Sequence, residues 1–197
     1  MRKTLFVAAL LTGGMATPAM AQDDTSRGGF HVGAIVGYDT VQGDVDGADG
    51  VTYGVTAGYD FEIGRNFYIG PEVELSTSSV DECESGINRA GDLLCLDAGR
   101  DIYVGARFGT RVGPNRDVFL YAGGGYTNAE FHATYDANLA GNTGDLDISE
   151  ETDGFRLKAG VEWDFVRNAF VRAEYRYSNY DGDIDRHQAV AGVGLRF

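Results

Sequence analysis

Beyond residue 21, no stretch of this 197-residue chain stays apolar for the roughly 20 residues that a membrane-crossing helix needs. That lack excludes a helical membrane protein and leaves any crossing of a bilayer to strands. Positive charge is also short: 16 Lys and Arg stand against 30 Asp and Glu, for a net charge of -14. A polyanionic partner such as nucleic acid needs the opposite balance, so no nucleic-acid role is expected. Proline is scarce, with three residues, so little interrupts a strand ladder. The three histidines, His31, His132 and His187, are scattered and lack carboxylates or cysteines at ligand spacing, so no metal and no cofactor is expected. Asp44-Val45-Asp46 and Asp181-Gly182-Asp183-Ile184-Asp185 resemble calcium loops but miss the glycine and glutamate that an EF-hand requires downstream, and read as solvated loop acids.

What is present begins with an export signal. Arg2 and Lys3 precede the apolar run Leu5 to Leu11, and Ala19-Met20-Ala21 supplies the small-x-small pattern of a peptidase site. Residues 1–21 are therefore expected to be removed between Ala21 and Gln22, leaving one domain over residues 22–197.

The remaining chain alternates apolar and polar residues with a period of two, the mark of β-strands. Phe30, Val32, Ala34, Val36 and Tyr38 oppose His31, Gly33, Ile35, Gly37 and Asp39. The clearest strand sets Phe155, Leu157, Ala159, Val161, Trp163 and Phe165 against Arg156, Lys158, Gly160, Glu162 and Asp164. Eight such strands can be counted, joined by long and short connections in turn. The short ones are Ile63–Asn66, Gly113–Asp117 and Val166–Asn168. The long ones are placed at Gln42–Gly50, Asp81–Gly99, Asp136–Asp153 and Asp181–Asp185. Pro71 falls inside the third strand, where a bulge or a weakened pairing is expected. An even number of strands with this alternation of loops fits an all-β, eight-stranded antiparallel up-and-down transmembrane β-barrel.

Three patterns carry a resemblance: Ala122-Gly123-Gly124-Gly125-Tyr126, Glu174-Tyr175-Arg176-Tyr177, and the terminal Val193-Gly194-Leu195-Arg196-Phe197. With the strand pattern they resemble the OmpA-like, opacity-type (porin family) eight-stranded outer-membrane barrels of Gram-negative bacteria. The resemblance implies a cell outer membrane location after export, contact with outer-membrane lipid and lipopolysaccharide, and use of Phe197 as the signal read by the barrel assembly machinery. It also implies a structural or surface-exposed role, through acidic extracellular loops that engage a ligand the sequence does not name. A narrow channel for ions or small solutes is the alternative. A lipid A-modifying enzyme is the third reading. The relatives that deacylate lipid A carry a His-x-Ser-Asn element, but here Arg176-Tyr177-Ser178-Asn179 has arginine in place of the base, so no enzyme is expected.

One face of the strands collects charges of both signs, Arg196, Glu72, Glu74, Asp101 and Asp164 among them. Arg107, Arg111, Arg156, Lys158, Glu162, Arg172, Glu174 and Arg176 are expected to form a network that fills the lumen, since an eight-stranded barrel holds little beyond its own side chains. A soluble lipocalin-like barrel would invert the two faces. An aromatic belt near the short turns is expected from Trp163, Phe165, Tyr59, Phe61, Phe67, Phe170 and Phe197. The only two cysteines, Cys83 and Cys95, lie in the second long loop and are expected to form a disulfide in an oxidising compartment.

Overall fold

The computed structural model describes residues 28–42, 48–79, 81–85, 92–136, 146–181 and 184–197. The export segment with its cleavage site, and Asp44 and Asp46, lie outside the described residues. The strands are β1 (Gly29–Gln42), β2 (Ala48–Glu62), β3 (Phe67–Ser78), β4 (Asp81–Ser85), β5 (Leu93–Val112), β6 (Val118–Asp136), β7 (Leu146–Val166), β8 (Ala169–Tyr180) and β9 (Ile184–Arg196). Sequential antiparallel pairing runs from β5 through β9 to β1, β2 and β3, and β3 pairs back onto β5, which closes a ring of eight strands. The short β4 is a ninth strand that pairs with the end of β5 beyond the ring.

The ring has a definite stagger. From His31, the cross-strand partners run Gly58, Glu72, Gly105, Gly125, Arg156, Ser178, Arg186 and then Val41, back on β1 but ten residues along. Ten residues at about 3.3 Å against eight strands about 4.8 Å apart set a tilt of about 40°. Backbone groups around the ring are thereby spent on neighbours, the break beside Pro71 excepted, which is what allows strands to cross a lipid layer.

Burial decides which face points where. Val55 and Val193 are 57% and 59% exposed, whereas Arg107 and Glu72 are fully buried. The apolar face is outside and the charged face inside, so the lipocalin-like orientation is ruled out. Aromatic residues bracket the apolar band. Near the short turns, Phe30 meets Phe197, Tyr59 meets Phe61, Phe67 stacks on Phe108, and Trp163 lies beside Phe165. Eight residues separate Phe30 from Tyr38, Tyr53 from Phe61 and Phe155 from Trp163. At about 2.5 Å of height per tilted residue, that spacing is about 20 Å, close to the apolar band of an outer-membrane barrel. Phe170, expected in the lower girdle, is instead buried in the lumen. It alternates with the outward Val171 and Ala173, so its parity places it inside beside Arg172.

The short turns form where expected. The Ile63 amide donates to the Phe67 carbonyl, and Gly64 and Gly113 take positive φ values of 140° and 93°. Pro71 causes no bulge: register is continuous on both sides of β3, but the ladder to β2 lacks the pairs opposite Pro71 and Gly70. There the Tyr59 carbonyl oxygen leans so far over β3 that a Cβ on Gly70 would lie 1.6 Å from it. Only glycine fits beside the missing proline donor.

The long connections differ most from expectation. The stretch 81–99 holds β4 and the first residues of β5, and β7 begins at Leu146 instead of after Asp153. β5, β6 and β7 therefore run 20, 19 and 21 residues, against 12–15 in the other barrel strands, and project about 12 Å farther. A shift of register between Ala98 and Asp101 marks where the extension leaves the ring. Charge in these segments disguised continuous strands as loops. Cys83 and Cys95 sit directly opposite each other on β4 and β5, joined by a disulfide.

With Trp163 outward, 51% exposed and next to a short turn, its fluorescence in lipid bilayers should be quenched most by acyl chains brominated near the headgroup. Strongest quenching by chains brominated at their ends would contradict this depth.

Candidate functional site

Two features of the molecule could carry function: the lumen and the long-loop end. In the lumen, alternate residues of every strand bring their side chains to one axis, and the stagger stacks them in tiers. In the lower tier Arg107, from β5, grips Asp60 of β2 with Nε at 2.9 Å and Nη2 at 2.6 Å, and places Nη1 2.7 Å from Glu162 and 3.2 Å from Glu72. Its guanidinium also lies over the rings of Phe119 and Tyr121, at 5.2 and 5.3 Å. Arg172 donates to Glu162 at 2.6 Å and to Glu72 at 3.3 Å, and Arg196 joins Asp60 at 2.5 Å to Glu162 at 2.7 Å. Beneath them Arg111 pairs with Asp164 at 2.5 Å.

The upper tier repeats the arrangement. Arg176 donates to Glu74 at 2.6 Å and Glu174 at 2.5 Å. Arg156 holds Asp101 at 2.5 Å, Glu74 at 3.3 Å and the Ser178 hydroxyl at 2.8 Å. Arg186 binds Asp39 at 2.9 Å and Asp101 at 2.8 Å. Lys158 links the tiers, pairing with Glu72 below and lying 3.6 Å from Glu174. Tyr121 reaches up to donate to Glu174 at 2.6 Å, and its hydroxyl passes 2.6 Å from where a Cβ on Gly160 would be. Glycine at 160 leaves the crossing open.

Arg107, Arg111, Arg156, Lys158, Glu162, Arg172, Glu174 and Arg176 are all buried in the lumen. Sequence reasoning left out Asp39, Asp60 and Arg186, although strand parity already put them on the inner face. Pairing between neighbouring strands accounts for little of the network. Only Glu162 and Arg172 are direct neighbours of opposite sign. Lys158 is opposite Arg176, and most partners lie across the lumen. Among the described residues eight inward cations face eight inward carboxylates, so the lumen is neutral as a whole. A buried charge is tolerable only with such compensation.

Among the described residues, chemistry of other kinds finds no assembled site. Ser178 accepts a hydrogen bond from Arg156 inside the barrel, while His187 pairs with Tyr175 on the outer face, the Tyr175 Oη to His187 Nδ1 distance being 2.7 Å. His31 is buried 4.0 Å from Asp60, and His132 is 3.7 Å from Glu130 at the projecting end. The described residues contain no group of three or more metal-ligating side chains. Asp185, from the calcium-like stretch, accepts hydrogen bonds from Tyr177 and Asn179, each at 2.8 Å.

The long-loop end is where the surplus charge resides. Residues 43–50, 79–100, 128–153 and 181–185 contain 18 Asp and Glu against Arg89 and Arg100 alone. At the opposite end the short turns hold Arg65, Arg116 and Arg167 against Glu62 and Asp117. Some crown acids are paired: Arg100 donates to Glu151 at 2.9 Å, and Asn128 to Asp153 at 2.8 Å.

Known proteins share this architecture. Residues 7–197 match the family described as outer membrane protein beta-barrel domain. A "22 kDa outer membrane protein" of Rhizobium leguminosarum bv. viciae is 30% identical over 193 residues, covering 86% of this chain and 77% of that protein. The Yersinia pestis attachment invasion locus protein Ail, solved with the heparin analogue sucrose octasulfate, superposes with a TM-score of 0.60 at 17% identity, over 87% of this chain and all of Ail. Neisserial surface protein A gives 0.54 at 18% identity, over 85% of this chain and 97% of its own. The N-terminal barrel domain of Pseudomonas aeruginosa OprF gives 0.52 at 16% identity, over 87% and 100%. These likenesses are of fold.

Arg107 satisfies three carboxylates at once, so Arg107→Ala should strand a buried negative charge and cost about 3–5 kcal/mol in urea unfolding of the lipid-embedded barrel. A loss under 1 kcal/mol would show that the network does not hold the lumen together.

Proposed function

The chain belongs to the outer membrane protein β-barrel family, and within it we propose a non-catalytic surface platform, with the barrel as anchor and the acidic extracellular crown as the part that makes contacts. The observation that carries this reading is the partition of charge. The lumen spends its charges on itself, while the surplus of 18 acids over two arginines sits at the long-loop end. In a barrel of this family that end faces the cell exterior. A field of one sign, raised above the membrane on three extended strands, attracts cationic partners and repels anionic ones. A polysulfated ligand of the sort seen with Ail is a poor fit to this crown.

The lumen supports the same reading, since a space crossed by paired arginines and glutamates leaves little room for a solute. Among the described residues no catalytic constellation favours a lipid-modifying enzyme. Phe197 lies on the lipid face beside Phe30, its amide donating to the Phe30 carbonyl at 2.8 Å. That position supports a role for the terminal strand as the segment engaged by the assembly machinery. Lipid and lipopolysaccharide are the partners of the outer wall.

The test is retention of protein-bearing lipid vesicles on polylysine-coated and heparin-coated surfaces at physiological salt. Polylysine should retain several-fold more. Replacing Glu150, Glu151 and Asp181 by their amides should lower that retention about threefold, with the barrel's heat-modifiable migration unchanged. Equal retention before and after substitution, or preference for heparin, would overturn the proposal.

A further inference from the structure

One piece of the crown hangs on a single covalent bond. β4 lies outside the ring and pairs with β5 alone, through five residue pairs that run from Asp81 opposite Asp97 to Ser85 opposite Leu93. Cys83 opposite Cys95 is the middle pair, and the disulfide joins it. A ladder of this length is marginal without help. The composition of β4 makes it weaker still. Three of its five residues, Asp81, Glu82 and Glu84, are acids. The register sets Asp81 directly against Asp97, and like charges so placed destabilise a strand pair. Arg100, three residues from Asp97, is already paired with Glu130 and Glu151, at 3.7 and 2.9 Å. Without the disulfide, repulsion is left and the tie is gone.

The parts around β4 do not need it. β3 ends at Ser78, and Ser79 is pinned to β2: its amide donates to the Val51 carbonyl at 2.9 Å, and its hydroxyl accepts from the Val51 amide at 3.1 Å. The start of β5 keeps its pairing with β6, from Leu93 opposite Asp136 to Ala98 opposite Phe131, whatever β4 does. Release of β4 therefore stops at Ser79 and leaves the ring whole. The bond is also within reach of solutes at the long-loop end, because Cys83 is exposed and Cys95 half-buried. Exposed disulfides are the labile ones.

We propose that the Cys83–Cys95 bond is a thiol-operated latch, which holds β4 on β5 and frees it on reduction while the barrel stays intact. The co-reactant is a soluble thiol on the long-loop side of the membrane. Its thiolate attacks Sγ of Cys83, the more accessible sulfur. A new S–S bond forms there, the Cys83–Cys95 bond breaks, and Cys95 leaves as a thiolate that takes up a proton. A second thiolate then attacks the small-thiol sulfur of the mixed disulfide, which releases Cys83 and leaves the two small thiols joined. Two electrons thereby pass from the small thiols to the protein disulfide. The device concerns β4 itself and stands whether or not the crown binds cationic partners.

The experiment uses the full refolded chain in lipid nanodiscs, a glutamate-specific protease, and dithiothreitol as the thiol. Cleavage after Glu82 and Glu84 should be at least tenfold faster after reduction and return to its slow rate on reoxidation. Cleavage after Glu150 and the heat-modifiable migration of the barrel should stay the same. Alkylation of the folded protein should label both cysteines once dithiothreitol has acted, and neither before. The Cys83→Ser, Cys95→Ser variant should be cut fast with or without the thiol. Adding Asp81→Asn and Asp97→Asn to that variant removes the opposed charges and should slow its cutting several-fold. Equal cutting of oxidised and reduced protein, no alkylation after dithiothreitol, or cutting that the two amides leave unchanged would overturn the latch.

Discussion

A strand that crosses lipid can carry charge only on the face turned from the lipid, and in a ring of eight strands that face encloses no more space than side chains fill. Every charge placed there must therefore find its counter-charge within the ring. Most of this molecule follows from that requirement. Eight inward cations meet eight inward carboxylates. Arginine predominates because its fork can serve several acids at once, as Arg107 does for Asp60, Glu72 and Glu162. Small residues such as Gly160 leave gaps through which a tyrosine or lysine crosses to the far wall. The outer wall carries only apolar and aromatic side chains across its middle, and its thickness is marked by rings of Phe, Tyr and Trp.

Much of this was legible in the sequence because a period of two assigns each residue to a face without reference to any other strand. Val36 and Val193 outside, Glu72 and Arg156 inside, follow from parity alone. Partners were not legible. Which arginine meets which carboxylate depends on the stagger of ten residues around the ring, a property of all the strands together. Hence Lys158, beside Arg176 on the ladder, finds Glu72 across the lumen. Asp39, Asp60 and Arg186 escaped notice because they sit near strand ends among turn-forming residues. Parity was even misapplied once, at Phe170. The projecting strands were hidden for a different reason: above the membrane neither face of the sheet meets lipid, so alternation fades while backbone pairing continues.

The fold divides into wall, lumen and crown. The wall holds the chain in the outer membrane, the lumen makes it stiff, and neither leaves a surplus of charge. The crown carries the surplus, on strands that continue the ring's own ladder and so share its rigidity. Cys83 and Cys95 fasten β4 to one side of this extension, and β7 bounds the other.

The central claim is that the lumen is closed by its own ion pairs. Single-channel recording of the purified, refolded barrel in planar bilayers tests it directly, alongside Arg172→Ala and Arg176→Ala. Absent or brief openings in the unaltered protein, growing in size or frequency when either arginine is removed, are the result expected of a filled lumen. Large, steady openings in the unaltered protein would contradict it and make the barrel a pore.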